Sequence, residues 1–218
     1  TDRVNKAQKI RTYEVREIYG KFVMMWFDEL GRAPMWDPPV VPELDRPDLY
    51  YLDDEDCAWR YIENIRLVNV MAFENGVDAW HVRFVHGSDA SEVEVLADDG
   101  PTFRCTFTNV TYRTRTGEVA APGSMVNELW GMGVVVNRLY GLAENLMFIG
   151  ATPTDGWNAD VFICNFAKRV EGEPHPAGPA RQLIDHQLYA VLEDAPIFYR
   201  ARYVARPPYL PEENKGFR

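Results

Sequence analysis

The sequence is short of cysteine, of basic residues and of long hydrophobic runs. Its 23 Lys and Arg residues against 33 Asp and Glu residues give a net charge of −10, which disfavours a nucleic-acid binder because phosphate backbones are held by concentrated basic surfaces. The most apolar stretch, residues 130–151, is interrupted by Asn, Arg and Glu, whereas a membrane-spanning helix needs about 20 apolar residues. We therefore expect a soluble, cytoplasmic protein that binds neither nucleic acid nor a membrane.

The three cysteines, Cys57, Cys105 and Cys164, are an odd number at wide spacings. Disulfide frameworks and zinc sites use paired or closely spaced cysteines, so we expect small buried apolar side chains in a reducing compartment. Hydrophobic residues make up 46% of the 218 residues and aromatic residues 13%, which indicates a globular chain. The first residue is Thr1, and no secretory segment follows it. We therefore expect the chain to be part of a longer protein.

The order of the sequence patterns predicts an α+β protein with a boundary in a proline-rich segment. Residues 13–27 are predicted as two short strands about a Tyr19-Gly20 turn. The proline-rich segment that follows blocks regular strand pairing. We therefore predict a strand pair and arm over residues 1–47 and a main domain over residues 48–218.

The main domain is predicted to contain a strand near residues 57–67, a helix over 68–80 and a final helix over 180–199. Segments rich in Val, Thr, Phe and Tyr are predicted as further strands near 92–97, 102–115, 125–139, 145–152 and 160–169. We expect a helix-grip domain, in which a curved antiparallel β-sheet surrounds the long C-terminal helix and leaves a cavity for an apolar, bulky ligand. The predicted pocket residues are Phe73, Trp80, Trp130 and Phe148.

Two of the four histidines, His81 and His86, lie five residues apart. Imidazole is a common ligand of iron and zinc, and two close imidazoles form a chelate. On an unbroken helix the second residue would be turned by about 140° from the first, so we predict that the helix ends or bulges between them. Asp78 would share the helix face of His81 and accept an imidazole N–H. The alternative is that two histidines at this spacing are unrelated.

A third ligand is predicted in the final helix, which carries Glu193 and Asp194. Helical phasing places Asp194 on the apolar face and Glu193 on a polar face with His186, which we expect to be exposed. A carboxylate on an apolar face is unfavourable unless it is paired or binds a metal, and Pro196 opens the helix beside it. Two histidines and one carboxylate suit non-haem Fe(II) and O₂. The alternative is an aspartate near a helix kink that reaches solvent.

Residues 74–87, which run Glu-Asn-x-x-Asp-x-x-His-x-x-x-x-His-Gly, resemble the iron-binding motif of the Rieske non-haem iron oxygenases. Two further segments resemble this family in the same order, namely a Thr-Pro turn at residues 151–155 and the closing-helix motif at residues 192–197. Residues 13–36 resemble the strand pair that follows the Rieske domain. The resemblance covers nearly the whole chain. Within the family, the chain looks most similar to ketosteroid 9α-hydroxylases and cholesterol 7-desaturases.

The resemblance implies the cofactors, the partners and the roles of the motif residues. His81, His86 and Asp194 would bind a mononuclear Fe(II). Asp78 would be a catalytic residue that connects this iron to a Rieske [2Fe-2S] cluster, and Asn75 would support the ligands. The family also implies a homotrimer whose cluster comes from a neighbouring subunit, with electrons from an NAD(P)H-dependent reductase, a ferredoxin, or both. The product would be an oxygenated steroid-like or aromatic molecule, formed with O₂.

The cluster-binding motifs of that family, Cys-x-His and Cys-x-x-His, do not occur in this chain. We therefore expect the Rieske domain to precede Thr1 or to lie on another chain, and we favour the first. Two functions stay open at this point. One is an Fe(II)/O₂ oxygenase catalytic domain, and the other is a metal-free hydrophobic-ligand-binding module of the same helix-grip architecture. Stoichiometric iron in the purified protein would distinguish them.

Overall fold

The chain divides into two compact units between Asp45 and Arg46. The first unit contains an antiparallel hairpin of strands β1 (Val15–Ile18) and β2 (Phe22–Met25). Tyr19 and Gly20 have φ values of 55° and 59°, and a positive φ lets the chain reverse within a short turn. The predicted strand pair is therefore confirmed. The computed structural model describes residues 10–91, 93–111, 123–141 and 143–208.

The second unit is built on a seven-stranded antiparallel sheet. Its strands are β3 (Ala58–Ile65), β4 (Glu94–Asp99), β5 (Thr102–Val110), β6 (Gly123–Trp130), β7 (Val134–Tyr140), β8 (Asn145–Pro153) and β9 (Ala159–Ala167). They lie in the order β3-β9-β8-β7-β6-β5-β4. Strands β4 to β9 therefore pair in sequence order, and β9 then pairs with β3, the first strand of the unit.

One predicted strand is two strands in the structure. The apolar pattern predicts a single strand over residues 125–139, but residues 131–133 turn the chain between β6 and β7. Gly131 has a φ of 53°, a conformation that favours glycine, and the apolar residues on both sides conceal this turn. The predicted strand over 102–115 corresponds to β5, but its residues 112–115 lie outside the described residues, as does Glu92.

Three α-helices complete the second unit, namely α1 (Asn69–Asn75), α2 (Ala79–Phe84) and α3 (Gly178–Phe198). The prediction of one continuous helix over 68–80 is wrong, because the chain is extended at Asp78, with φ −100° and ψ 99°. Asp78 is the N-cap of α2. Aspartate is more favourable at an N-cap than in the interior of a helix. The long helix α3 packs against β3, β8 and β9.

The core of the second unit lies between the sheet and the helices. One apolar cluster, which includes Val77, Phe107 and Leu129, lies beside α1. Another, which includes Met147 and Phe198, lies between the sheet and α3. A cavity remains along the same face of the sheet. The predicted α+β class, with a large antiparallel sheet and a closing C-terminal helix, is thus confirmed.

Two further predictions from composition concern the state of the cysteines and the presence of membrane-spanning helices. All three cysteines are buried, as predicted, and none forms a disulfide. Burial raises the pKa of the Cys105 thiol to about 12. Among the described residues, none of the helices has the length and hydropathy needed to cross a membrane.

Candidate metal centre

The structure brings His81, His86 and Asp194 together. His81 lies within α2, and α2 ends at Phe84, so the predicted end of the helix between the two histidines is confirmed. His86 follows in the turn to Gly87, whose φ of 64° suits glycine. Asp194 comes from α3, near its C-terminal end. One ligand atom from each of the three residues lies within 4.8 Å of the other two.

The donor atoms of the three side chains point at a common position. His81 Nε2 lies 3.1 Å from Asp194 Oδ1, and His86 Nε2 lies 3.4 Å from the same oxygen. The two Nε2 atoms are 3.0 Å apart, and the rings are nearly perpendicular, at 88°. The two imidazoles and the carboxylate thus bring three donor atoms close enough together to bind one ion.

These three residues fit a divalent metal ion. Asp194 is only 8% exposed, and its Oδ1 has no hydrogen-bond partner within the part of the chain that the structure describes; the nearby imidazole nitrogens are at ion-pair distance but outside hydrogen-bond geometry. A buried carboxylate without a partner is unfavourable. A cation between the carboxylate and the two imidazole lone pairs removes this cost, and two histidines with one carboxylate are the donor set of non-haem Fe(II).

Glu193, which helical phasing placed on a polar face of the final helix, contacts one of the predicted ligands. In the structure its Oε2 lies 3.0 Å from His86 Nδ1. A carboxylate at this position holds the proton on Nδ1, so the lone pair of the neutral ring lies on Nε2, the atom nearest His81 and Asp194. This contact was not predicted, because a glutamate on a polar helix face agrees with the sequence pattern.

Asp78 does not make the contact expected from the sequence. Its Oδ1 accepts the backbone N–H groups of Trp80 and His81 at 2.9 and 3.0 Å, whereas we predicted that it would accept the imidazole N–H of His81. The reason is the interruption of the helix before α2, which makes Asp78 a capping residue. It therefore positions the backbone that carries His81.

The cavity beside the metal centre is mostly apolar. It reaches His81, His86 and Asp194 at one end, and it has a volume of about 170 Å³. Asn75 lines it, near the predicted ligands. Apolar lining residues include Ile65, Leu67, Met147, Ile149, Val161 and Phe198.

The four predicted pocket residues do not line this cavity. Trp130 and Phe148 lie on β6 and β8 one residue out of phase with lining residues such as Met147, and successive side chains of a strand point to opposite faces. Phe73 packs against the core cluster beside α1. Trp80 stacks on Phe84, with ring centroids 5.6 Å apart. Apart from Phe198, the apolar part of the described wall is thus formed by aliphatic residues and methionines.

His186 also differs from its prediction. It is half-buried and lines the cavity, although helical phasing predicted that it would be exposed. Burial lowers the pKa of His186, and the nearby His86 lowers it further. A neutral imidazole at this position adds a polar group to the cavity without adding a charge.

The fold is similar to that of several solved structures. NdmA from Pseudomonas putida CBB5, solved with caffeine, aligns with a TM-score of 0.64 at 13% identity over 99% of this chain and 62% of its own. NdmB from the same source aligns with a TM-score of 0.61 at 13% identity over 98% and 60%. Dicamba monooxygenase bound to dicamba gives 0.56 at 13% identity over 94% and 66%. The chain therefore spans about 60% of the length of these proteins.

The large antiparallel sheet and the closing helix are similar to those of Rieske oxygenase catalytic domains. More narrowly, residues 25–218 match the family of the 3-ketosteroid 9α-hydroxylase C-terminal domain, and the chain belongs to this family. A segment of 83 residues is 35% identical to cholesterol 7-desaturase of Hemicentrotus pulcherrimus, which corresponds to 37% of this chain and 16% of that protein.

Proposed function

We propose that the chain is the catalytic domain of an Fe(II)-dependent oxygenase that acts on an apolar substrate. One observation carries the proposal: two imidazoles and a buried carboxylate without a hydrogen-bond partner converge at the end of an apolar cavity. In this proposal residues 48–218 form the iron domain, and residues 1–47 form the strand pair and arm that connect it to a Rieske domain.

His81, His86 and Asp194 would hold the iron. When bound, Fe(II) supplies a centre at which O₂ is reduced, with electrons from a Rieske [2Fe-2S] cluster outside this chain. In the monooxygenase form of the reaction, one atom of O₂ is inserted into a C–H bond and the other leaves as water, with the consumption of two electrons and two protons.

The chain's own residues orient the ligands and hold the substrate. Glu193 keeps the Nδ1 proton of His86 in place, so that Nε2 stays available to a metal. Asp78 fixes the start of α2 and thereby the position of His81. The apolar wall between the sheet and α3 binds the hydrocarbon part of the substrate and excludes water from it.

A steroid-like substrate is the class that the family supports. The family is described by a ketosteroid hydroxylase, and the sequence relative is a cholesterol desaturase. The cavity volume of about 170 Å³ is smaller than that of usual ligand sites, about 300–1,000 Å³. A four-ring ligand therefore requires that flexible wall residues such as Met125 and Met147 change rotamer.

Electron delivery requires partners, because the chain has no Cys-x-His or Cys-x-x-His motif. We propose that a cluster from a neighbouring subunit of a homotrimer reduces the iron, and that an NAD(P)H-dependent reductase, with or without a ferredoxin, reduces the cluster. The family resemblance supports Asp78 as the connection between the two centres, and its carboxylate caps the helix that carries His81.

The test is the iron content of the protein after anaerobic loading with Fe(II) and removal of loosely bound metal. We expect one iron per chain in the parent protein and a loss of most of it in His81→Ala and Asp194→Ala. His175→Ala is the matched control, because His175 is an exposed histidine, with a side chain 68% exposed, paired with Asp56. Full iron content in both ligand variants would refute this ligand assignment. A parent protein that binds no iron would favour the alternative, a metal-free module that binds hydrophobic ligands.

A further inference from the structure

The cavity wall contains two buried asparagines joined into a chain of hydrogen bonds. Asn127 on β6 and Asn137 on β7 are register partners, and both line the cavity. Asn127 Nδ2 donates to the backbone carbonyl of Gly76 at 2.6 Å. Asn137 Nδ2 donates to Asn127 Oδ1. The amides thus run in one line from the end of α1 across the sheet.

The direction of this series of hydrogen bonds is fixed by its first acceptor, the backbone carbonyl of Gly76. A backbone carbonyl can only accept, so Asn127 must turn its NH₂ group toward Gly76 and its oxygen toward Asn137. Asn137 must then donate with its own NH₂ group. A reversal of either amide would bring two acceptors or two donors face to face. The free end of the chain is consequently an acceptor, Asn137 Oδ1.

This acceptor is buried and unsatisfied. Asn137 is 5% exposed, and its Oδ1 has no hydrogen-bond partner among the described residues. Its register partner on β8 is Met147, which also lines the cavity. Since methionine changes rotamer easily, a shift of Met147 opens a path from the cavity to this oxygen.

We propose that Asn137 Oδ1 accepts a hydrogen bond from a hydroxyl group of the substrate. This inference deepens the proposed function and rests on it, because it assumes that the cavity is the substrate site. The substrate is then an apolar ring compound with a hydroxyl group at the end that reaches Asn137. A ketone at that position is disfavoured, because its oxygen would face another acceptor and leave both without a proton.

The test compares two steroids that differ only at one position. Epiandrosterone carries a 3β-hydroxyl, and 5α-androstane-3,17-dione carries a ketone there. We expect the parent protein to bind the hydroxyl compound about tenfold more tightly, which is the effect of one neutral hydrogen bond. Equilibrium dialysis on the 218-residue chain without added iron gives both Kd values, so this result is independent of metal binding.

Three variants assign the preference to Asn137. Asn137→Leu should give equal Kd values for the two steroids. Asn127→Leu removes the group that fixes the direction of the Asn137 amide. The ratio of the two Kd values should therefore fall below tenfold although Asn137 is still present. Ile149→Val is the control, since Ile149 lines the cavity as an apolar residue and the variant should keep the ratio. A tenfold preference that persists in folded Asn137→Leu, or its absence in the parent, overturns the proposal.

A second pair of ligands tests the acceptor role of Asn137 Oδ1 independently of whether the substrate is a steroid. If neither steroid binds, the steroid assignment fails, and 2-naphthol against naphthalene then tests the acceptor with smaller rings. A preference for 2-naphthol that is lost in Asn137→Leu supports the proposal. Equal binding of the two, or no binding of either, overturns it. Should Asn137→Leu fail to fold, the narrowing in Asn127→Leu decides the same question.

Discussion

Glu193 and Asp194 are adjacent in α3, and both lie against His86. Successive helix residues are turned by about 100°, and the site lies in the angle between the two side chains. Asp194 faces the buried side, where its carboxylate is nearest His81. Glu193 faces the turn after α2, where it meets His86. Two neighbouring carboxylates therefore have different roles, one toward the metal position and one toward the far side of a ring.

The first prediction concerns Glu193. Glu193→Gln keeps an oxygen that can accept from His86 Nδ1 but removes the charge, so we expect Fe(II) to bind about tenfold more weakly, as is usual for supporting partners of metal-binding histidines. Competition with a fluorescent chelator measures the Kd for iron. Asp185→Asn is the matched control, because Asp185 is an exposed residue of the same helix paired with Arg181. Equal affinities in the two variants would contradict the orienting role.

The second prediction separates two roles of Asp78. Asparagine caps helices about as well as aspartate, whereas alanine costs about 0.5–2 kcal/mol. We therefore expect Asp78→Asn to keep the free energy of unfolding and most of the iron, and Asp78→Ala to lose stability. Urea unfolding followed by circular dichroism gives both values.

The same variant tests the proposed path of electrons when the chain is joined to its Rieske domain. We expect Asp78→Asn to slow the oxidation of a pre-reduced cluster in a single turnover with substrate and O₂, because the amide lacks the charge of the carboxylate. Oxidation at the parental rate, with normal iron content, would leave Asp78 with its capping role alone.

The strands and helices were largely predictable from the sequence, whereas the breaks between them were not. Alternation of apolar residues and the spacing of turn residues predicted the hairpin β1–β2, the strands β8 and β9, and helix α3. The break before α2 was missed, because a capping aspartate inside an apolar pattern does not interrupt its periodicity. The pocket was mispredicted for a similar reason, since residue size alone does not say which face of a strand a side chain occupies.

The candidate ligands were predictable because each breaks a local rule. Two histidines lie on either side of a helix end, and one carboxylate lies on an apolar helix face. Such conflicts between a residue and its surroundings are expected at functional sites. Glu193 breaks no rule visible in the sequence, since a glutamate suits a polar helix face, and His86, which it contacts, is 107 residues away. Asn137 does interrupt an apolar run, but its contact with Asn127 depends on the pairing of β6 with β7.

The third prediction concerns the close approach of α1 to the sheet. A Cβ added at Gly76 would lie 3.2 Å from Leu129 Cδ2 and 3.2 Å from the Phe73 carbonyl oxygen. We expect Gly76→Ala to lower the free energy of unfolding by about 1 kcal/mol through overpacking. Gly150→Ala is the control, because nothing lies within 4 Å of its added Cβ. Equal unfolding midpoints in urea would mean that the neighbours relax at no cost.

The cavity of the second unit is lined by residues of the sheet and of α3, and we propose that it is the substrate site. The fourth prediction is that steroids raise the thermal midpoint more than benzoate-sized acids do. A ligand that binds only the folded state stabilises it by about 2.7 kcal/mol at 100 times its Kd, and a larger apolar surface gives the lower Kd. Differential scanning calorimetry measures the midpoint at matched ligand concentrations. Equal or greater stabilisation by benzoates would indicate a small aromatic acid as substrate.

The pairing of β3 with β9 also sets the order in which this unit can fold. Strands β4 to β9 need only neighbours in sequence, whereas β3 must close a loop of about a hundred residues, a slow step because it loses much chain entropy before it gains contacts. His81 and His86 follow β3, and Asp194 follows β9. We therefore expect the metal position to be complete only after this closure, and partly folded chains to lack the complete ligand set. Iron would enter only a finished domain.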